Sequence, residues 1–237
     1  MKKTNYWKMQ KRGIKKSAAV ACISHATKND LCKIVPQLSS RCRVVYMPVS
    51  SDMYVPVTFK RDPFFLALGG AVNKNLERMI SAFEIARTSI PDYELVVCGH
   101  VDKNEEIKRA LPEGVRFESM DNYHHLLARC SGLLFCSTHE GLGIPPVEAM
   151  ECGCPLIVSN IPPVHETCGD AAYYANPYDC VSIAEGMKTV AENPKKWAEM
   201  SSRGLRRYRE KSGAAGKEWL NIYQSIIEKK REYTRSC

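Results

Sequence analysis

No run of apolar residues in this sequence approaches the ~18 that a membrane-spanning helix needs, so no transmembrane segment is expected. The opening stretch, MKKTNYWKMQKRGIKK, contains no acid and is not followed by an apolar core, which excludes a secretory signal peptide. Seven Lys and Arg fall within it. Such a start is usually a solvated or frayed segment, and Tyr6 and Trp7 among the charges leave room for contact with a membrane surface. No Cys-x-x-Cys pair occurs among the eleven cysteines, and Cys152-Gly-Cys154 alone is a poor metal site. These thiols are read as reduced and mostly buried in a cytosolic protein, and no metal is expected. No internal repeat or low-complexity tract stands out.

What is present is ordinary for a globular protein. The 237 residues are enough for one large domain or two small ones. Hydrophobic residues make up 44% and charged residues 25%. The net charge of +8 favours anionic ligands or surfaces, but it is too weak and too spread out to indicate nucleic acid.

From Phe64 onward short apolar runs alternate with helical patterns. Strands are expected at Phe64–Gly70, Tyr93–His100, Val115–Phe117, Gly132–Ser137, Pro155–Asn160 and Ala171–Asn176. Between them come a helix after Lys74, a short helix at Glu105–Leu111, a helix at Asn122–Cys130 and one from about Pro145. Strands alternating with helices give an α/β fold: a Rossmann-like parallel sheet with helices on both faces. From Asp179 on, the pattern reads as three helices, with breaks near Pro194 and at Lys211–Lys217, making a C-terminal helical tail. The first sixty residues offer one strand in Ala18–Ser24, a helix in His25–Val35 and a strand in Arg43–Val49, with a linker from Pro56 to Pro63. So small a set cannot bury its own apolar faces, so it is expected to be the end of another domain.

The stretch THEGLGIPPVEAM follows the expected strand at Gly132–Ser137. In an open parallel sheet, ligands lie outside the carboxyl ends of the strands. Gly141 and Gly143 permit close backbone approach and positive φ. Pro145 and Pro146 suit the first turn of a helix. A helix start offers free N–H groups and partial positive charge to a phosphate. Glu140 before that helix and Glu148 on its first turn would repel phosphate but accept from hydroxyls. A ligand with both groups, a nucleoside diphosphate sugar, satisfies the whole loop.

At this point the residues resemble a known family. EGLGIPPVEAM matches the Glu-x7-Glu motif of the retaining glycosyltransferases of GT-B fold, family 4, which include bacterial mannosyl- and glucosyltransferases. LALGG with NKNLERMISAF, YELVVCG, the run VRFESM to STHEG, and GCPLIVSNIPPVHETCGDAAYYANPYD are similar to the segments that surround that motif. The resemblance spans about Ala18 to Tyr223 and identifies the chain with the C-terminal, donor-binding half of a GT-B fold. It implies that Glu140 contacts the donor sugar and Glu148 the ribose. It also implies that the amides of Gly141, Leu142, Gly143 and Ile144 cradle sugar and phosphate, and that Lys74 meets the diphosphate. Gly69 and Gly70 would line the same site, His139 is a candidate lining residue beside Glu140, and the base would lie near Val115–Ser119. Glu140 and Lys74 are the implied catalytic pair. Charge building on the departing diphosphate would be stabilised by Lys74 and the helix-start amides. No cofactor is implied beyond the donor itself, GDP-mannose or UDP-glucose in type.

The chain departs from the family in two ways. Gly70 stands where the family often has an arginine. Most of the amino-terminal acceptor domain has no counterpart, so residues 1–60 are expected to be its remnant and linker, 61–193 the nucleotide-sugar domain and 194–237 the C-terminal helices. The implied function is transfer of a hexose with retention to a glycan or lipid-linked acceptor. A separate acceptor-domain chain or self-association would complete the enzyme. Work would take place in the cytoplasm, including the inner face of the membrane. Two readings stand beside it. One is a non-catalytic nucleotide-sugar-binding module or truncated inactive transferase. The other is a flavodoxin-like domain, disfavoured because no acidic receiver pocket or flavin loop is visible. His124 and His125 are read as members of an ordinary, partly exposed helix. Glu166 is read either as a family glutamate or as a capping or salt-bridge residue.

Overall fold

The computed structural model describes residues 3–47, 61–99, 111–212 and 215–235. The expected helix at Glu105–Leu111 and most of the expected linker fall outside the described residues. The chain forms two compact units, Met1–Pro48 with Lys211–Cys237, and Val49–Glu210.

The first unit begins with α1 (Lys3–Lys16), β1 (Val20–Cys22), α2 (His25–Ile34) and β2 (Cys42–Val44). The basic start is thus a helix, and Ile14 on it packs against a small core of Cys22, Val35, Leu38 and Cys42. β1 and β2 pair in parallel, Val20 opposite Cys42. Ser24 starts α2 by accepting from the Thr27 amide at 3.0 Å, an ordinary N-cap.

The second unit holds β3 (Asp62–Leu68), α3 (Leu76–Arg87), β4 (Glu94–Cys98), β5 (Val115–Glu118), α4 (Tyr123–Arg129) and β6 (Cys130–Phe135). It continues through α5 (Ile144–Glu151), β7 (Leu156–Ser159), α6 (Pro162–Cys168), β8 (Ala172–Ala175), α7 (Cys180–Glu192) and α8 (Pro194–Ser212). The last helix, α9 (Ala215–Arg235), returns to the first unit. The compact units therefore part near residue 210, which leaves most of α8 with the sheet.

The six strands of the second unit are all parallel, in the order β5-β4-β3-β6-β7-β8. Both faces are covered. Phe65 and Ala67 of β3 meet Val97, Leu134 and Ile157 under α3 and α7. Phe64 and Leu66 point the other way, to Leu133, Leu156 and Val158 under α4, α5 and α6. Alternate residues of one strand thus serve two cores, which is why these strands read as unbroken apolar runs. The α/β fold, parallel sheet, flanking helices and helical tail are as the sequence implies.

Three local details differ from expectation. β6 starts at Cys130, directly from the end of α4, because Cys130 itself is extended (φ −64°, ψ 151°) and Ser131 donates to the Asp62 carbonyl at 2.7 Å. α5 starts at Ile144, so Glu148 is its fifth residue and lies beyond the first turn. No element was expected between Asn160 and Ala171, yet Pro162 and Pro163 open α6.

Candidate functional site

With β3 and β6 adjacent, the sheet runs outward in opposite directions from that pair, so their carboxyl ends form its topological switch point. In open α/β sheets this is where ligands bind. The two loops that leave it are residues 69–75 and 136–143. They carry Lys74 and Glu140.

The first loop needs two glycines for different reasons. At Gly69 a Cβ would meet Val97 at 3.2 Å and Leu76 at 3.3 Å, and a Cβ on Gly99 would come within 3.0 Å of the Gly69 backbone. The ends of β3 and β4 therefore touch closely. Gly70 has φ +118° and open space beside it, so backbone conformation alone demands glycine there. The chain then makes a 3₁₀ turn at Val72–Lys74 and reaches Asn75, which holds φ 62°. The left-handed region is one that asparagine tolerates. Its buried side-chain amide donates to the Cys136 carbonyl at 2.9 Å and the Pro177 carbonyl at 2.6 Å. The Thr138 backbone amide donates to the Asn73 carbonyl at 2.8 Å, and the Asn73 side-chain Nδ2 donates to the His139 carbonyl at 3.0 Å. One loop is thereby fastened to the other.

The result is a mostly buried ion pair. Lys74 Nζ lies 2.8 Å from Glu140 Oε1, with side chains 23% and 13% exposed. The same ammonium sits 4.9 Å from the centre of the Phe135 ring. The pair joins positions 66 apart in sequence and brings together the two residues that the resemblance assigns to catalysis.

The second loop continues through Leu142, which is buried and whose carbonyl accepts from Thr167 Oγ1 at 2.6 Å. Gly143 then holds φ 91° at the cap of α5. Pro145 and Pro146 follow as the second and third helical residues, so each removes one N–H from the helix start. The amides of Gly143 and Ile144 survive there, a narrower anion cradle than a proline-free helix would offer.

Glu148 projects from α5 with a side chain 15% exposed. Its Oε2 accepts from the Tyr123 hydroxyl at 2.9 Å, and His124 Nε2 lies 3.9 Å from Oε1. Tyr123 is buried at the start of α4. Burial, reinforced by the Glu148 charge, pushes its phenol well above the ordinary tyrosine range, so it stays a donor. His124 is thus a residue of a partly exposed helix, as expected, with its ring 3.9 Å from one Glu148 oxygen.

His139 contributes its carbonyl to the loop contacts, and its side chain is exposed. The Glu166 carbonyl accepts from Arg207 Nη2 at 2.8 Å. In the Val115–Ser119 segment the Cys98 thiol donates to the Ser119 carbonyl at 3.7 Å, and Ser119 Oγ accepts from the Asp121 amide at 3.2 Å. Tyr123, Asn73 and Thr167 were missed as site-shaping residues. Only Asn75 had a sequence signal, the Lys-Asn turn. Among the described residues, no group of three or more His, Cys, Asp or Glu side chains converges as a metal site would.

The family described as glycosyl transferases group 1 matches residues 53–207, which contain the whole switch-point site. The chain belongs to the group 1 glycosyltransferases. It is 29% identical over 194 residues to the O-antigen chain mannosyltransferase RfbU of Salmonella typhimurium, covering 78% of this chain and 54% of that one. It is 33% identical over 103 residues to the GDP-mannose:cellobiosyl-diphosphopolyprenol alpha-mannosyltransferase of Xanthomonas campestris, covering 39% of this chain and 27% of that one. Anabaena HepE, solved with UDP and glucose, superposes with a TM-score of 0.74 at 18% identity, over 91% of this chain and 64% of HepE. The group 1 chain described here therefore spans about half the length of RfbU. Among its described residues no helix is long and apolar enough to cross a membrane.

Proposed function

We propose that this chain binds a nucleoside diphosphate sugar at the switch point and serves as the donor half of a hexosyltransferase. The observation that carries the proposal is the Lys74–Glu140 pair, whose Glu140 lies on the loop that leads into the helix start at Gly143 and Ile144. A cation and backbone amides suit a diphosphate, and two carboxylates suit hydroxyls. In this reading Glu140 binds the hexose, Glu148 the ribose, and Lys74 the diphosphate. Gly69, Gly70, Gly141 and Leu142 shape the cradle, and His139 stands at its rim.

The bond from the anomeric carbon to the diphosphate oxygen breaks as the acceptor hydroxyl oxygen bonds to that carbon on the same face of the sugar, and the hydroxyl proton passes to the departing diphosphate. Negative charge then grows on the departing diphosphate. Lys74 and the α5 amides sit on preorganised elements, so they stabilise that charge without rearrangement. GDP-mannose is favoured as donor, because the named relatives are mannosyltransferases and one is named for GDP-mannose. UDP-glucose is the alternative. The donor is the sole small molecule required in this account, and no cofactor is assigned. The acceptor is a glycan or lipid-linked sugar reached at the cytoplasmic side of a membrane, and an acceptor domain from another chain or a second copy would face the site.

A thermal-shift screen of the purified chain against GDP, UDP, ADP and dTDP and their common sugars tests the reading. Stabilisation by one nucleotide family is expected. No shift with any of them, from a folded protein, contradicts it.

A further inference from the structure

Glu148 would be a poor ribose ligand if its carboxylate were free to turn. It is not free. Tyr123 reaches it from a different βα unit, 25 residues away, with a single hydrogen bond of 2.9 Å. The Tyr123 ring is held among Leu126, Cys130, Cys154 and Met150 in the core between the sheet and α4–α5, so the hydroxyl is a fixed post. A hydroxyl has one proton to give, and here it goes to Oε2. Oε1 is turned toward His124, whose ring packs edge-on against Tyr123 with centroids 4.9 Å apart.

We propose that Tyr123 is a positioning residue for the donor site: its phenol pins one oxygen of Glu148 and leaves the other to accept from the ribose hydroxyls of a nucleoside diphosphate sugar. This rests on the ribose role given to Glu148 above. A carboxylate anchored at one oxygen loses little rotamer freedom when the ligand arrives, so binding is less costly in entropy.

Tyr123→Phe removes the hydroxyl and keeps the ring. Two readouts test it. The first is calorimetric titration of GDP and UDP into wild type, Tyr123→Phe, Glu148→Gln and the double variant. Tyr123→Phe is expected to weaken the preferred nucleotide about 3- to 10-fold, the order of one ordinary net hydrogen bond, because the lost bond reaches the ligand only through Glu148. It should add little to Glu148→Gln, because the post has then lost its carboxylate. The second readout is the melting temperature: a merely structural tyrosine would lower it and weaken binding by the same factor in the Glu148→Gln background as in wild type.

If Glu148→Gln weakens nucleotide binding while Tyr123→Phe leaves affinity unchanged, or weakens it equally in the Glu148→Gln background, the positioning role is overturned and the donor site stands. If wild type and Glu148→Gln bind GDP and UDP alike, or wild type binds neither, the site reading falls and the positioning role with it.

Discussion

Lys74 and Glu140 neutralise one another in the free protein, so a diphosphate must share or displace Glu140 to reach the lysine. Glu140→Gln keeps the shape and removes the competing charge. It should therefore leave GDP binding at least as tight as in wild type while abolishing most transfer. Lys74→Met has the opposite effect: it removes the cation and strands a carboxylate that is 13% exposed. GDP affinity should fall about 10- to 100-fold, and folding stability by about 2 kcal/mol. Calorimetry on both variants checks this, and equal weakening by the two would contradict it. The residues of this pair were legible in the sequence, because a Glu-x7-Glu motif and a Lys-Asn turn are local patterns. Tyr123 was not. Its relation to Glu148 depends on how two helices pack, and no spacing within either helix encodes it.

Arg61 shows what holds the helices that carry the site. Its guanidinium donates to the Leu127 carbonyl at 3.1 Å, the Ala128 carbonyl at 2.5 Å and the Cys152 carbonyl at 2.6 Å. These are carbonyls at the ends of α4 and α5, which have no partner within their own helix. Arg61→Met should leave the Ala128 and Cys152 carbonyls without that donor, while Leu127 keeps the Cys130 thiol at 3.4 Å; the cost should be about 2–4 kcal/mol and about 5–15 °C in melting temperature. A fall below about 2 °C would mean that water or rearrangement replaces the guanidinium. β4 carries a second consequence. Burial pushes the Cys98 thiol up to about 11 from its ordinary 9.0. The folded chain thus binds this proton more tightly than the unfolded chain. Its contribution to stability is full below pH 9 and is lost as pH rises from 9 to 11. Melting temperatures between pH 8 and 10.5 should fall, and Cys98→Ala should make that fall shallower. An unchanged slope would remove Cys98 from the account. The elements themselves were largely readable, since strands buried on both faces appear as apolar runs bounded by glycine. Helix α6 was hidden because Pro162-Pro163 looks like a turn until it is seen as a helix start. The α4–β6 junction was blurred because no glycine or proline separates the two.

At the scale of the molecule, sheet order makes the site. Alternating strands and helices implied a parallel sheet, but nothing in the sequence states that β3 and β6 are neighbours. That adjacency is what sets Lys74 beside Glu140. Among the described residues the first unit holds a two-stranded parallel pair and a four-residue core, and the chain spans 54% of RfbU. The claim on which the rest depends is that the switch point holds a nucleoside diphosphate sugar. Calorimetric titration of GDP-mannose and UDP-glucose into wild type, Lys74→Met and Glu148→Gln tests it most directly. Saturable one-to-one binding of one donor, weakened in both variants, is the result expected. Binding that neither substitution changes would place the ligand elsewhere and contradict the account.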